Sequence, residues 1–291
     1  MVERLGRAAD EEAGPRVSTD PLGGNDVYDR RHAAATVDVQ AAGSATSSGS
    51  DGALPGALLL SKLGHELRSP LTGIVGLTRI MLVKLADGSI TTAQQIHQLE
   101  LVRTSAIQML ETIDRVAAIA ALQVGNFPPD DAFDCRATIT AVVAQLAPSA
   151  HAHARRLIVE VPDQPVMAAG HEYALQRLLT ELVDNAIKYT DQTDIRIRCR
   201  LTPRQTSVID VSDDGPGMTV DEQTRIYLPF ARGAAAEQHH VAGSGLGLYL
   251  AQQLTAQCGA TLTMHSAPSA GSTFVVQLNP PATSATASTP S

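Results

Sequence analysis

One segment of the sequence sets a potential nucleophile beside a potential base. In SKLGHELRSPLTG, residues 61–73, His65 is followed directly by Glu66. The Glu66 carboxylate can accept the Nδ1 proton of the imidazole, which fixes the tautomer and leaves Nε2 as a nucleophile. Ser69 lies one turn further along the same helix face, and Pro70 is expected to bend the helix just past the histidine. A solvated helix surface is the ordinary alternative for these side chains.

A second segment, LLTELVDNAIKYT at residues 178–190, places three polar side chains on one helix face. Glu181, Asn185 and Lys188 are spaced by four and three residues. Carboxylate and amide oxygens suit Mg²⁺, a hard ion that takes oxygen ligands, and a lysine suits phosphate. Asn185 and Glu181 are therefore candidate metal ligands, against the alternative of a solvated polar face.

Two glycine-rich segments have the composition of ligand-binding turns. In DVSDDGPGM, residues 210–218, the glycines would let the backbone approach a flat ligand, and Asp213 can accept a hydrogen bond from an adenine amino group. Taken alone, this segment is more typical of a simple Asp-Gly turn. In GSGLGLYLAQQL, residues 243–254, glycines open a helix whose free amides and dipole can bind phosphate, although a flexible loop is the alternative.

The histidine segment belongs to a long amphipathic helix predicted from Leu58 to Leu85. Its apolar residues recur at spacings of three and four, so one face is suited to burial. His65 lies roughly 200° around the helix from that face and is therefore expected in solvent. The apolar stripe consists of Leu60, Leu63, Leu67, Pro70, Ile74, Leu77 and Met81.

A second amphipathic helix is predicted to begin near Thr91, where Thr91 and Gln94 have capping-box spacing. A turn at Asp87-Gly88 would join the two helices into an antiparallel hairpin. A lone hairpin cannot cover both stripes, whereas two copies can form a four-helix bundle, so a homodimer is expected. The second stripe consists of Leu99, Val102, Ala106, Met109, Ile113 and Val116.

The Asn-Phe-Pro-Pro break at residues 126–129 separates the hairpin, at 55–125, from a region of different texture at 130–280. Short strands and helices alternate there, which favours an α+β chain that ends in a two-layer sandwich. Helices are predicted near 136–149, 171–189 and 245–257, and strands near 157–161, 165–168, 194–201, 206–212, 260–265 and 273–279.

Composition and charge narrow the class of protein. With 22 basic and 30 acidic residues the formal net charge is −8, which makes the chain a poor candidate for binding nucleic acid. Three widely spaced cysteines disfavour a disulfide framework or a zinc site. No run reaches the ~18 apolar residues of a membrane span, so a cytoplasmic chain is expected. Residues 1–54 and 281–291 are expected to be disordered.

In their order, these motifs resemble those of the sensor histidine kinases of two-component systems. GHELRSPL resembles that family's histidine box, ELVDNAIKYT its Asn box, and DDGPGM and GSGLGL its two glycine boxes. YLPFARG, residues 227–233, is similar to the Phe box, and GSTFVVQL, residues 271–278, to the closing strand.

The resemblance implies a dimeric hairpin followed by an ATP-binding sandwich of the kind shared with gyrase and MutL. It implies a kinase that uses ATP to phosphorylate His65, with Glu66 and Ser69 beside it, and then passes the phosphoryl group to an aspartate of a response regulator. Asn185 would hold Mg²⁺, and Glu181 occupies the other polar position of its box. The nucleotide would lie against Lys188, Tyr189, Asp213, Gly215, Gly217, Arg232, Gly243, Gly245, Leu246 and Gly247, with a lid between Phe230 and Gly245.

The chain departs from the family pattern at Gly64, where Ser is usual, at Ser69, where Thr is commoner, and at Glu181 and Asp214, where Asn is frequent. None of these changes removes an essential chemical group. Two alternatives stay open at this point. One is a scaffold or phosphotransfer dimer with a decayed nucleotide site. The other is an ATPase or serine kinase that uses the same sandwich.

Overall fold

The computed structural model describes residues 36–38, 56–124, 130–190, 194–234, 241 and 243–281. Most of the two termini predicted to be disordered therefore lie outside the described residues. Within the first of them the structure has a three-residue strand, β1 (Thr36–Asp38), paired with an edge strand of the sheet described below.

Two long helices form the predicted antiparallel hairpin. Helix α1 spans Gly56–Ala86 and helix α2 spans Thr92–Val124. The capping box is present, because the Thr91 amide donates to Gln94 Oε1 at 3.0 Å and the Gln94 amide donates to Thr91 Oγ1 at 3.3 Å. Gly88, in the connecting turn, has a φ of +69°, a left-handed conformation that favours glycine.

The hairpin buries only part of its apolar surface. The described residues of the predicted α1 stripe are half-buried or buried, with Met81 8% exposed. In α2, Leu99 and Ile113 of the predicted stripe are 54% and 44% exposed, as expected if a lone hairpin cannot cover both stripes. Each helix carries more apolar surface than a single seam can cover. Large exposed apolar side chains remain at Leu71, Val75, Ile80, Leu82, Val83, Leu85, Ile96, Leu99, Leu101, Ile107, Leu110 and Ile113.

By length and composition alone, the segment Ser61–Ala86 of α1 also meets the requirements of a membrane-crossing helix. The predicted absence of a membrane span is therefore not confirmed. Only 6% of the residues in its most apolar stretch are buried, and α1 packs along α2. An amphipathic helix with an uncovered apolar face meets the same requirements of length and composition.

The second region is a two-layer sandwich, as predicted. Its six-stranded sheet has the order β1-β7-β8-β6-β5-β3, antiparallel except for the pair β3 and β5, and a separate two-stranded sheet pairs β2 with β4. The strands are β2 (Asp130–Asp134), β3 (Arg156–Glu160), β4 (Met167–Gly170), β5 (Asp194–Leu201), β6 (Ser207–Asp213), β7 (Ala260–Ser266) and β8 (Ser272–Leu278). The helices are α3 (Cys135–Ala152), α4 (Glu172–Tyr189), α5 (Val220–Arg225) and α6 (Gly247–Gln257).

Side chains alternate across the sheet as its two layers require. In β5, Ile195 and Ile197 point into the core, whereas Arg196 and Arg198 are exposed on the other face. Helix α4 packs against both α3 and α6 over the inner face. This arrangement brings the start of α6 beside the polar face of α4.

Strand β2 and helix α5 were not predicted from the sequence. Strand β2 reads DDAFD, a polar sequence without clear alternation, and its register shifts against β4. Helix α5 has only six residues, too few to show a helical period, although Thr219 and Glu222 form a complete capping box at its start.

Candidate nucleotide site

A single cavity collects most of the residues that the sequence motifs singled out. It lies between the polar face of α4, the turn after β6 and the start of α6, and its empty volume, counted with the open mouth, is about 920 Å³. Its walls include Glu181, Asn185, Lys188, Tyr189, Asp213, Gly217, Arg232, Gly243, Gly245 and Gly247.

Helix α4 supplies the polar wall because its opposite face is apolar. Leu178, Leu182 and Ile187 are each at most 1% exposed and fix the helix against the core. Asn185 is half-buried and lines the cavity. Lys188 also lines it, with Nζ donating to Asp184 Oδ2 at 2.7 Å one turn earlier.

The turn after β6 forms the second wall. Asp213 is 8% exposed, and its Oδ1 accepts a hydrogen bond from the Gly215 amide at 2.9 Å. A Cβ at Gly215 would lie 2.7 Å from the Tyr189 carbonyl oxygen. At Gly217, where φ is +65°, a Cβ would lie 1.9 Å from the Ala267 carbonyl oxygen. The glycines therefore let the turn pack closely, and Gly215 is not among the lining residues.

The start of α6 forms the third wall. Gly245 has a φ of +68°, and its carbonyl accepts from the Phe230 amide at 2.9 Å, which joins the predicted Phe box to the second glycine box. Leu246 is fully buried in the core and does not line the cavity. Arg232 lines the cavity at the base of the predicted lid, of which residues 235–240 and 242 lie outside the described residues.

The histidine segment lies apart from this cavity. His65 is exposed on α1, as its position opposite the buried stripe predicted, and Ser69 is exposed beside it. Glu66 is half-buried. None of these three residues lines the cavity.

Arg115 of α2 is a cavity residue that the sequence analysis missed. It is 8% exposed, and its Nε donates to Glu181 Oε2 at 2.9 Å while Nη2 donates to Asp184 Oδ2 at 3.1 Å. Burial raises the pKa of Glu181, and the charge of Arg115 opposes that shift. The available signal was a charged residue at a seam position of α2, one turn after Thr112 and one turn before Ile119, both of which are buried.

The residues at the cavity fit a magnesium ion that is held partly by its ligand. Within the described residues, no three His, Cys, Asp or Glu side chains cluster as a complete metal site would require. Asn185 offers an amide oxygen, and its side chain bonds to no other described residue. Mg²⁺ characteristically takes one or two protein ligands and completes its shell with phosphates and water.

Comparison with known proteins shows the family to which the chain belongs. Residues 170–282 match the family described as histidine kinase-, DNA gyrase B- and HSP90-like ATPase. The signal transduction histidine-protein kinase BarA of Escherichia coli is 32% identical over 226 residues, which are 76% of this chain and 24% of BarA. The chain belongs to the sensor histidine kinases.

Further relatives agree with this assignment. The sensor histidine kinase GacS of Pseudomonas protegens is 30% identical over 230 residues, 77% of this chain and 24% of GacS. The chain thus spans about a quarter of the length of these curated relatives. Among solved structures, the Acinetobacter baumannii histidine kinase AdeS has a TM-score of 0.54 at 18% identity and covers 74% of this chain and 97% of its own, which shows the shared fold.

The matched ATPase segment of this histidine kinase contains α4, the turn after β6 and the start of α6, and hence nearly the whole cavity wall. Arg115 lies outside that segment. It is the one residue of the hairpin, among those that the structure describes, that lines the cavity.

Proposed function

We propose that this histidine kinase binds Mg²⁺-ATP in the cavity, transfers the γ-phosphoryl group to His65, and passes it to an aspartate of a response regulator. The observation that carries the proposal is the convergence of Asn185, Lys188, Asp213 and Gly245 on one cavity within an ATPase domain. A decayed nucleotide site, as a scaffold protein would have, is disfavoured by that convergence.

The cavity has a different chemistry at each end. Asp213, at the β6 end, can receive the adenine amino group, and the glycine-flanked start of α6 offers backbone amides and a favourable dipole to the phosphates. Asn185 would hold Mg²⁺ between the two ends together with phosphate oxygens, which the ion would neutralise. Lys188 would add a positive charge at the same place.

The acceptor chemistry resides on the hairpin. With its Nδ1 proton directed to Glu66, His65 attacks the γ-phosphorus through Nε2, the new N–P bond forms as the bond to the leaving ADP oxygen breaks, and the Nδ1 proton passes to the carboxylate. His65 does not line the cavity, so the sandwich must move relative to the hairpin before transfer.

The exposed apolar surface of the hairpin supports a homodimer. The exposed side chains on both helices, among them Leu82 at 69% and Leu110 at 61%, form more apolar surface than an isolated hairpin normally leaves in water. A second copy would cover them in a four-helix bundle and leave His65 accessible to a response regulator. We place this kinase core in the cytoplasm, where its nucleotide is available.

The test is transfer of label from γ-labelled ATP to the purified chain. Wild type should acquire an acid-labile, base-stable label, His65→Gln should acquire none, and His97→Gln, which changes an exposed histidine on α2, should behave as wild type. Undiminished label on His65→Gln, or a base-labile label typical of phosphoserine, would remove His65 from this role. An ATP titration then shows whether the chain binds nucleotide at all, which a scaffold with a decayed site would not do.

A further inference from the structure

The contact between hairpin and sandwich has a charged cluster at the wall of the nucleotide cavity, which four of its six members line. Three acidic and three basic side chains meet there, and each one lies within 3.5 Å of an opposite charge. They are Glu111 and Arg115 of α2, and Arg177, Glu181, Asp184 and Lys188 of α4. The six formal charges cancel, so this cluster is complete without nucleotide.

Arg115 is the member that joins the two domains most closely. Its Nε and Nη2 donate to Glu181 and Asp184, and Nη1 lies 3.5 Å from Glu111. The Arg115 side chain is 10% exposed and its guanidinium is directed at three carboxylates, so its hydrogen-bonding capacity is committed to acidic partners. Nearby, Ile119 of the same helix is packed into the sandwich core.

The Arg115–Glu181 pair stands where phosphates and metal would bind. A Cβ at Gly247, the first residue of α6, would lie 3.0 Å from Glu181 Oε2 and 3.9 Å from Arg115 Nε, so the pair touches the start of that helix. Glu181 is also one turn from Asn185 on α4. A divalent cation at Asn185 would face a guanidinium that already neutralises the neighbouring carboxylate.

The Arg115–Glu181 pair lies at nearly the same level as His65 along the hairpin. Gly73 of α1 lies across from Ser105 of α2, with 3.9 Å between its ideal Cβ position and Ser105 Oγ. Because the helices are antiparallel, Arg115 is within about 3 Å of the level of His65 along the hairpin. His65, however, is exposed and does not line the cavity. This arrangement therefore keeps the cavity away from the acceptor.

We propose that Arg115 is an interdomain latch whose ion pairs with Glu181 and Asp184 compete with Mg²⁺-nucleotide and hold the sandwich in a position that cannot phosphorylate His65. The proposal rests on the nucleotide site of the proposed function. Mg²⁺ and the triphosphate would bind at the Glu181 carboxylate and the start of α6. This would open the ion pairs of Arg115 and release the sandwich from that side of α2. The apparent nucleotide affinity is then the intrinsic affinity multiplied by the fraction of molecules in which the latch is open.

The first experiment is calorimetric titration of the full chain with AMPPNP and Mg²⁺, which measures binding without reaction. Arg115→Gln should bind about threefold to tenfold more tightly than wild type, because fewer molecules are held closed. Arg103→Gln, an exposed arginine on the same helix, is the matched control and should bind as wild type. Weaker binding by Arg115→Gln would show instead that Arg115 is a phosphate ligand, and an unchanged dissociation constant would likewise overturn the latch.

Hydrogen exchange supplies a readout that needs no turnover. Addition of AMPPNP and Mg²⁺ to wild type should speed exchange in α2 around Arg115, and Arg115→Gln should show faster exchange before nucleotide is added. Arg115→Lys keeps the charge but cannot bridge both carboxylates, so its exchange rate should lie between those of wild type and Arg115→Gln. This variant is the control for a folding defect in Arg115→Gln. If no variant and no wild type binds AMPPNP, the proposed function itself fails. If all bind equally, only the latch fails.

Discussion

Asp213 shows how one side chain can be committed to both the fold and the ligand. Its Oδ1 accepts from the Gly215 amide and so shapes the turn, while the residue as a whole lines the cavity. An asparagine would keep one carbonyl oxygen for the turn but would present an NH₂ group, a donor, where the adenine amino group also donates. Asp214, next in the chain, is exposed and does not line the cavity.

We therefore expect Asp213→Asn to weaken ATP binding about tenfold to hundredfold, the usual effect of losing a hydrogen bond to a charged group. Asp214→Asn should bind ATP as wild type does. The measurement is the dissociation constant for Mg²⁺-AMPPNP. Equal affinities in the two variants would mean that the adenine lies elsewhere in the cavity.

At the scale of elements, the two hairpin helices each present two apolar faces. One face of α1 meets α2 along the described part of the predicted stripe, and Gly73 with Ser105 marks a close approach between them. The other face includes Leu71 and Val75, which are 48% and 58% exposed. A helix needs two such faces when it has two neighbours, as in a four-helix bundle.

Leu110→Glu should therefore weaken self-association by at least about tenfold, since it places a charge where the second copy would bury a leucine. Thr104→Glu, an exposed position on the same helix, is the control for added negative charge. Sedimentation across a concentration series measures the dissociation constant of the dimer for each variant. A wild-type monomer, or equal dissociation constants for the two variants, would contradict the bundle.

At the scale of the whole molecule, stability depends on carboxylates that the fold holds in their charged form. Asp134 caps α3 through the Arg136 amide and also accepts from the Arg136 guanidinium, with 2.7 Å between Nη2 and Oδ2. The guanidinium hydrogen bond is the main cause that lowers the pKa of Asp134 below its usual 3.8. Stability from such a group is fully present above the unfolded pKa and is lost as pH falls through the folded pKa.

Asp134→Asn should thus lower the free energy of unfolding by about 0.5–1 kcal/mol at pH 7. The effect is small because the Asp134–Arg136 pair is partly exposed and therefore screened by solvent. The difference from wild type should shrink as pH falls below 3.8, because the carboxyl of the unfolded chain then binds a proton while the native carboxylate, with its lowered pKa, still resists protonation. Urea unfolding at pH 7, 5 and 3 checks this. Asp114→Asn, a change at an exposed position on α2, is the control for the loss of one negative charge.

Much of this architecture could be predicted from the sequence because its signals are local. The period of apolar residues located the hairpin and α4, and β5 was predicted at its observed bounds, Asp194–Leu201. Short elements without a period, such as α5 and β2, were not predicted. Leu99 and Ile113 of the predicted α2 stripe are exposed in the single chain. Apolar spacing cannot tell which of two apolar faces meets the neighbour in the same chain.

By itself, the sequence determined which chemistry is present: an exposed imidazole beside a carboxylate, an amide and a lysine on one helix face, and glycines where a backbone must approach closely. These follow from residue type and helical geometry, which act over a few positions. Only the tertiary structure decided that Leu246 packs in the core, that Gly215 supports the turn, and that Arg115 enters the cavity. The partners of Arg115 on α4 are 66 and 69 positions away in the chain, and packing of the folded domains alone brings them within hydrogen-bonding distance.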